Sequence, residues 1–365
     1  MIKPINFTKY YKEILSELML AFSEFILSGQ YIGGKLVEKF EDKVKKYLGA
    51  KHAIGCKSGT HALQLALLAA GVEKGDEVIT VANTYYATVY AITAVGATPI
   101  FCDILPENGQ IDHNKIEAKI TKKTKVILPV HLYGIPVNLG EIRKICKKYK
   151  LILIEDCSHA FGTRLNGEYI GSDSDFGCFS MYPTKNLGAF GDAGFITTKN
   201  KKYESKIREL IYLTDAKRVK FNPKAIHAML DPLQAALLLV MLDKMDQARK
   251  DRIERADEYR KNLEEYIRIS KVGSDSVVNP HMFPIFIKNR NKLIKFLADS
   301  SVHVQVHYPT NLHCLSQFGS YAKGYLPETE RHNREEVSLS VHPSVSISEV
   351  KKICKLIKQY VEINK

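Results

Sequence analysis

The stretch CFSMYPTKNLGAFGDAG, residues 178–194, holds one lysine, Lys185, between a strand-like segment and a loop punctuated by Gly188, Gly191 and Gly194. A lysine amine can form an imine with an aldehyde and, once burial lowers its pKa, can carry protons. Taken alone, a loop lysine is a solvated surface charge. Pro183, which restricts the backbone, and the nearby hydroxyl of Ser180 set Lys185 apart. The glycines permit tight turns and close backbone approach. Their spacing is not a dinucleotide fingerprint, and Ala193–Thr198 reads as a strand, not as the helix such a fingerprint opens.

Two further elements complement that amine. Glu155-Asp156 ends the apolar run LILIE, which holds a carboxylate at the carboxyl edge of a sheet; the ordinary use of such an Asp is to cap the next turn. Ser58-Gly59-Thr60 follows another strand-like run and opens the helix-like SGTHALQLALLAAG. The free N–H groups and the dipole at a helix N-terminus make an anion site, although Ser-Gly-Thr is equally an ordinary cap. Together the three supply an imine-forming lysine, a carboxylate for a protonated ring nitrogen and a phosphate cradle. That set is the protein's share of pyridoxal phosphate chemistry, in which the ring acts as electron sink.

The elements that must position these residues follow from periodicity. His52–Cys56, Glu77–Val81, Thr98–Cys102, Lys125–Val130 and Leu151–Glu155 read as buried strands, and His61–Ala70, Tyr86–Val95, Leu139–Lys148 and Lys201–Tyr212 as helices between them. The alternation predicts an α/β fold, a mostly parallel sheet with helices on both faces, whose ligands sit at the carboxyl ends of strands. From Asp231 a single long helical pattern runs towards Tyr266, and the domain boundary is placed along it: 1–245 as a large domain and 246–365 as a smaller α+β domain. In the latter, His281–Ile287 and Val302–Tyr308 read as strands and Ile347–Ile363 as a terminal helix. His303, Gln305 and His307 would share one face of the second of these strands. Two histidines without a third ligand at fixed spacing do not make a metal site, so no metal is expected.

Composition narrows the class. With 365 residues, 45% of them hydrophobic, the chain can bury a sizeable core. A formal net charge of +13 favours anionic partners, but the lysines are dispersed over helical stretches and no nucleic-acid-binding signature accompanies them. Seven scattered cysteines without a C-x-x-C pair point to a reducing compartment. No apolar run approaches the roughly 20 residues of a membrane helix. A cytoplasmic protein that binds neither membrane nor nucleic acid is the expectation.

Across essentially its whole length the sequence resembles the DegT-type nucleotide-sugar aminotransferases, a branch of the fold-type-I pyridoxal-phosphate enzymes. The stretches that carry the resemblance are LSGQYIGGKLVEKFE, SGTHALQLAL, GDEVITVANTYYAT, PVHLYG, IEDCSHAFGT, FSMYPTKNLGAFGDAG, DPLQAALL, VHYPTNLH and LPETE…SLSVHP. The resemblance implies pyridoxal 5'-phosphate held by Lys185 as a Schiff base, with Asp156 on the pyridinium nitrogen. It places Gly59, Thr60 and Ser180 on the phosphate, Tyr85 stacked on the ring, and His159 on the ring oxygen where many members have Gln. Tyr31, Tyr182, His307 and Tyr308 fall near the sugar. A lysine at position 185 separates the chain from the dehydratases of the same group, which carry histidine there.

The resemblance further implies a homodimer with shared active sites. Members commonly have Asn-x-Arg before DPLQAALL, the Asn reaching the partner's cofactor phosphate; here these positions are His227 and Met229. His227 can still donate, whereas Met229 replaces a cation, for which Lys217, Arg218 and Lys220 are candidate substitutes. The implied reaction moves an amino group from L-glutamate to a nucleotide-linked keto-sugar. YPTKNLGAFGD resembles members that aminate C3 of a dTDP-3-keto-6-deoxyhexose; UDP-linked 3-keto sugars and C4 amination are the alternatives, and a non-catalytic binding protein on the same fold is the rival of another class.

Overall fold

Short runs rich in β-branched and aromatic residues build the sheet, and they lack polar–apolar alternation because both their faces are covered. In the computed structural model, which describes residues 1–212, 222–321 and 324–364, the strands of the main sheet are β1 (His52–Cys56), β2 (Glu77–Val81), β3 (Thr98–Cys102), β4 (Thr124–Ile127), β5 (Ile152–Asp156), β6 (Phe176–Ser180) and β7 (Gly194–Thr198). Their spatial order is β1-β7-β6-β5-β4-β2-β3. All neighbours are parallel except around β7, which runs antiparallel to both β1 and β6. Every residue of β2 and β7 is buried, as a sheet packed on both faces requires.

Strands β1, β2, β5 and β6 end in the same region, and the segments leaving them carry candidate residues. Ser58 caps the helix Gly59–Ala69 with its side chain on the His61 N–H. That helix start is pressed against the end of β6: a Cβ at Gly59 would lie 2.6 Å from Ser180 Cβ. The start of β7 approaches the same turn, since a Cβ at Gly194 would lie 2.4 Å from the Ser58 carbonyl carbon. Glycine at these two positions lets three chain segments meet where an anion can be held.

A second, smaller sheet joins Arg268–Ile269, Met282–Phe286 and Glu336–Ser340, all antiparallel. The helices Met245–Leu263 and Ile347–Ile363 pack on each other beside it, around a separate core that includes Tyr259, Phe283, Leu297, Val337 and Ile357 and also takes in Ile2.

Two expectations are corrected. The single helix pattern from Asp231 is two helices, Pro232–Asp243 and Met245–Leu263, parted at Lys244; the first lies on the main core, the second on the smaller one. Val302–Tyr308 is not a regular strand. It makes only isolated bridges, Val302 to Ile2 and Gln305 to Ser338, and a cis peptide joins His307 to Tyr308. An alternating sequence fits any extended segment; it becomes a ladder only where a partner runs alongside it.

Candidate active site

At the carboxyl ends of the strands lies a cavity of about 490 Å³. Its wall contains Gly59 and Thr60 from the helix start, Tyr85 after β2, Asp156 and His159 after β5, and Ser180, Tyr182 and Lys185 after β6, with His307 and Tyr308 from the far side. Ten of the twelve residues singled out from the sequence therefore converge on one space. The other two do not: Tyr31 and His227 are exposed, the former with its ring against Phe25. Met229 is half-buried and bridges Cys56. Lys217, Arg218 and Lys220 lie outside the described residues.

The amine and the carboxylate are each shaped by their surroundings. Burial lowers the Lys185 pKa from 10.5 to about 8, against the opposing pull of Asp156. Asp156 is 4% exposed; its Oδ2 accepts Thr88 Oγ1 at 2.9 Å and its Oδ1 accepts the Ser158 N–H at 3.1 Å. Thr88 is in turn paired with Thr84 at 2.9 Å. Since Thr88 gives its proton to the carboxylate, Thr84 must be the donor in that pair. Two donors fix the orientation of the carboxylate and leave acceptor capacity for a cationic group in the cavity.

Three imidazoles crowd together in the same wall. The ring of His159 lies 4.2 Å from that of His281 and 5.9 Å from that of His307, centroid to centroid. Burial depresses the pKa of all three, with the Lys185 charge adding to the effect. His159 Nδ1 accepts the Tyr133 N–H at 3.3 Å, so the neutral ring carries its proton on Nε2 and acts as a donor. Tyr85 stands 44% exposed at the mouth, its ring 4.0 Å from that of Tyr86 and 5.8 Å from that of Tyr308.

Sequence reasoning missed Thr88, Ser158, His281 and Asp192, all of them lining residues. His281 was visible only as the first residue of a strand. A buried trio of His131, Glu155 and Cys157 lies close to the site, yet it is closed by protein bonds: His131 Nε2 contacts Glu155 at 2.8 Å, His131 Nδ1 accepts the Val137 N–H, and burial keeps the Cys157 thiol protonated.

The donor set fits pyridoxal phosphate. A Cβ at position 59 would crowd the helix start against Ser180, where a phosphate could be held; Lys185, the only amine in the wall among the described residues, has its pKa lowered by burial, and an oriented carboxylate lines the same space.

Comparison with known proteins agrees with this geometry. The profile of the DegT/DnrJ/EryC1/StrS aminotransferase family matches residues 12–358. A dTDP-3-amino-3,6-dideoxy-alpha-D-galactopyranose transaminase of Aneurinibacillus thermoaerophilus is 36% identical over 360 residues, covering 98% of each chain. The crystal structure of S. venezuelae DesV in complex with a ketimine intermediate superposes with a TM-score of 0.96 at 31% identity, covering 99% of this chain and 98% of that one. That of NtdA from Bacillus subtilis with bound cofactor PMP gives 0.90 at 30% identity, covering 98% and 83%. The chain is an enzyme of the DegT/DnrJ/EryC1/StrS aminotransferase family, whose members depend on pyridoxal phosphate.

Proposed function

We propose that the protein transfers the amino group of L-glutamate to C3 of a dTDP-3-keto-6-deoxyhexose, giving a dTDP-3-amino-3,6-dideoxyhexose. The observation that carries this reading is the lowered pKa of the Lys185 amine, in one cavity with an oriented Asp156 and a helix N-terminus, in a chain whose relative of that activity matches it over 98% of each chain.

Gly59 and Thr60 hold the cofactor phosphate through backbone N–H groups, assisted by the Ser180 hydroxyl, and Tyr85 covers the ring face. Asp156 keeps the ring nitrogen protonated and His159 Nε2–H donates to the ring oxygen. When bound, pyridoxal phosphate supplies the electron sink that acidifies the donor's α-carbon. Lys185 Nζ takes the proton from that α-carbon, and in the second half-reaction returns one to the sugar carbon that receives nitrogen. With a pKa of about 8 it can do both near neutral pH. Tyr182, His307 and Tyr308 border the space left for the hexose.

The reading includes a cytoplasmic homodimer, with 1–245 and 246–365 as its domains. The helix Leu15–Ser28 and the residues after it leave Met19, Leu20, Leu27, Tyr31 and Ile32 more than half exposed, a concentration of exposed apolar side chains of the kind that marks an association surface. His227 and Tyr31 are exposed and outside their own chain's cavity, as residues that complete a partner's site would be. All seven cysteines are free, as a reducing compartment would leave them, and among the described residues no helix is long and apolar enough to cross a membrane.

Incubating the enzyme with glutamate and dTDP- or UDP-linked 3-keto and 4-keto hexoses, then locating the new nitrogen by NMR, tests the assignment. Amination of dTDP-3-keto-6-deoxyhexose at C3 supports it. Turnover confined to UDP-sugars, or nitrogen at C4, overturns it.

A further inference from the structure

One polar chain leads from His307 in the cavity wall to the strand Glu336–Ser340, on the face opposite to Val337 and Leu339 of the smaller core, and its two strand residues have no part in the reaction described above. His307 lines the cavity, and its Nδ1 lies 2.9 Å from Ser338 Oγ. Ser338 Oγ hydrogen-bonds Glu336 Oε1, while Glu336 Oε2 accepts the backbone N–H of His307 at 2.8 Å. Glu336 and Ser338 are alternate residues of one strand and share a face, and Gln305 pins the histidine segment against them through backbone bonds to Ser338. Glu336 is wholly buried.

A closed chain of this kind has a direction. If Glu336 is protonated on Oε1, the oxygen that faces Ser338, it donates to Ser338 Oγ while Oε2 goes on accepting the His307 N–H. The serine hydroxyl then donates to His307 Nδ1, and the neutral ring must carry its own proton on Nε2. If Glu336 is ionised, Ser338 donates to the carboxylate and accepts from Nδ1–H, leaving Nε2 a lone pair.

We propose that Glu336 and Ser338 are positioning residues that decide which nitrogen of His307 bears the proton, presenting Nε2–H as a donor to the keto oxygen of the sugar. The inference rests on the proposed keto-sugar substrate. A keto oxygen only accepts, so it matches the donor form and is refused by the other, whereas a hydroxyl fits both.

The surroundings favour the donor form at neutral pH. Burial pushes the Glu336 carboxyl up to about 8, against its bonds with Ser338, the His307 N–H and the Tyr133 hydroxyl and against the Arg290 charge. Tyr133 and Tyr308 also face it, both with hydroxyls that burial keeps neutral. On the other side of the relay, burial and Lys185 hold His307 down at about 4, with His159 and His281 beside it, so the ring stays neutral. Tyr133 Oη donates to the His307 carbonyl at 2.6 Å and fixes the backbone there.

The test uses holoenzyme labelled with ¹⁵N-histidine, with His307→Gln to assign the signals. Long-range spectra are expected to show His307 as Nε2–H at about pH 7 and as Nδ1–H above about pH 9. Glu336→Gln, whose amide can donate to Ser338 while accepting the His307 N–H, should hold the Nε2–H form throughout; Ser338→Ala should abolish the step. In kinetics, kcat/KM for the keto-sugar should fall about tenfold from pH 7 to 9 relative to Glu336→Gln, as expected for losing one buried hydrogen bond. The KM for glutamate should not follow. A His307 that stays Nδ1–H at pH 7, or identical pH dependence in wild type and Glu336→Gln, overturns the proposal. The tautomer is read on the protein without turnover, so a wrong sugar assignment alone would leave the spectra as expected and change only the kinetics. Should Glu336→Gln fail to fold, the loss or persistence of the spectral step in Ser338→Ala decides.

Discussion

Thr88 Oγ1 donates to Asp156 Oδ2 at 2.9 Å, a bond between residues 68 positions apart that fixes a carboxylate in the cavity wall. Both groups are buried, so the bond is charge-assisted and poorly screened. Thr88→Val should weaken pyridoxal phosphate binding about tenfold or more, in line with about 1.5–3 kcal/mol for a hydrogen bond to a charged group. Titration of apoenzyme followed by absorbance checks this, and unchanged affinity would show that Thr88 does not orient Asp156.

Gly59→Ala tests the phosphate cradle. The added Cβ would meet Ser180 Cβ at 2.6 Å and its Cα at 3.1 Å, neither of which can swing away. Overpacking of this kind costs about 1–3 kcal/mol. The thermal midpoint of the apoenzyme should fall, and inorganic phosphate or cofactor should restore less of it than in wild type.

The Lys185 amine should titrate near pH 8 in the apoenzyme. Burial lowers its pKa while Asp156 raises it, so Asp156→Asn should move the midpoint further down; reductive methylation with labelled formaldehyde and NMR detection reads both. The sign for stability follows. The unfolded lysine stays protonated to about 10.5, so the folded state is penalised below pH 8 and recovers between 8 and 10.5. Lys185→Met should therefore stabilise the apoenzyme at neutral pH by about 1–3 kcal/mol.

Acid should destabilise the fold from about pH 6.5 downwards. His159, His281 and His307 have lowered folded-state pKa values, about 4 for His307, so below 6.5 the unfolded chain binds protons that the native state refuses. Urea midpoints measured between pH 7 and 4 should fall steadily. His281→Gln should flatten that slope, and an unchanged slope would mean that this ring is not buried neutral.

Leu20→Glu and Leu27→Glu place a charge on the exposed apolar helix, at residues 63% and 85% exposed. Light scattering should show a monomer of about the chain mass, 41.2 kDa, with activity lost if His227 or Tyr31 of one chain completes the other's site. A monomer with full activity would contradict the shared site.

The sequence alone determined much of this protein. The strands His52–Cys56, Glu77–Val81 and Thr98–Cys102 match their observed limits, because runs buried on both faces are mostly apolar and stand out against the polar loops around them. That Lys185, Asp156 and Ser58-Gly59-Thr60 share one cavity was also legible, since a strand end, a helix start and a glycine loop, each ordinary alone, complement one another chemically. What only the tertiary structure decided is which distant residues serve them. Thr88 on Asp156, His281 against Asn186 at 95 residues' separation, and Glu336 and Ser338 behind His307 leave no local mark. The sheet order β1-β7-β6-β5-β4-β2-β3 is not the chain order, and the segment Val302–Tyr308 took its shape from single bridges to Ile2 and Ser338. Periodicity reports which face of an element is buried; the partner on that face is set by long-range packing, which no short window of sequence contains.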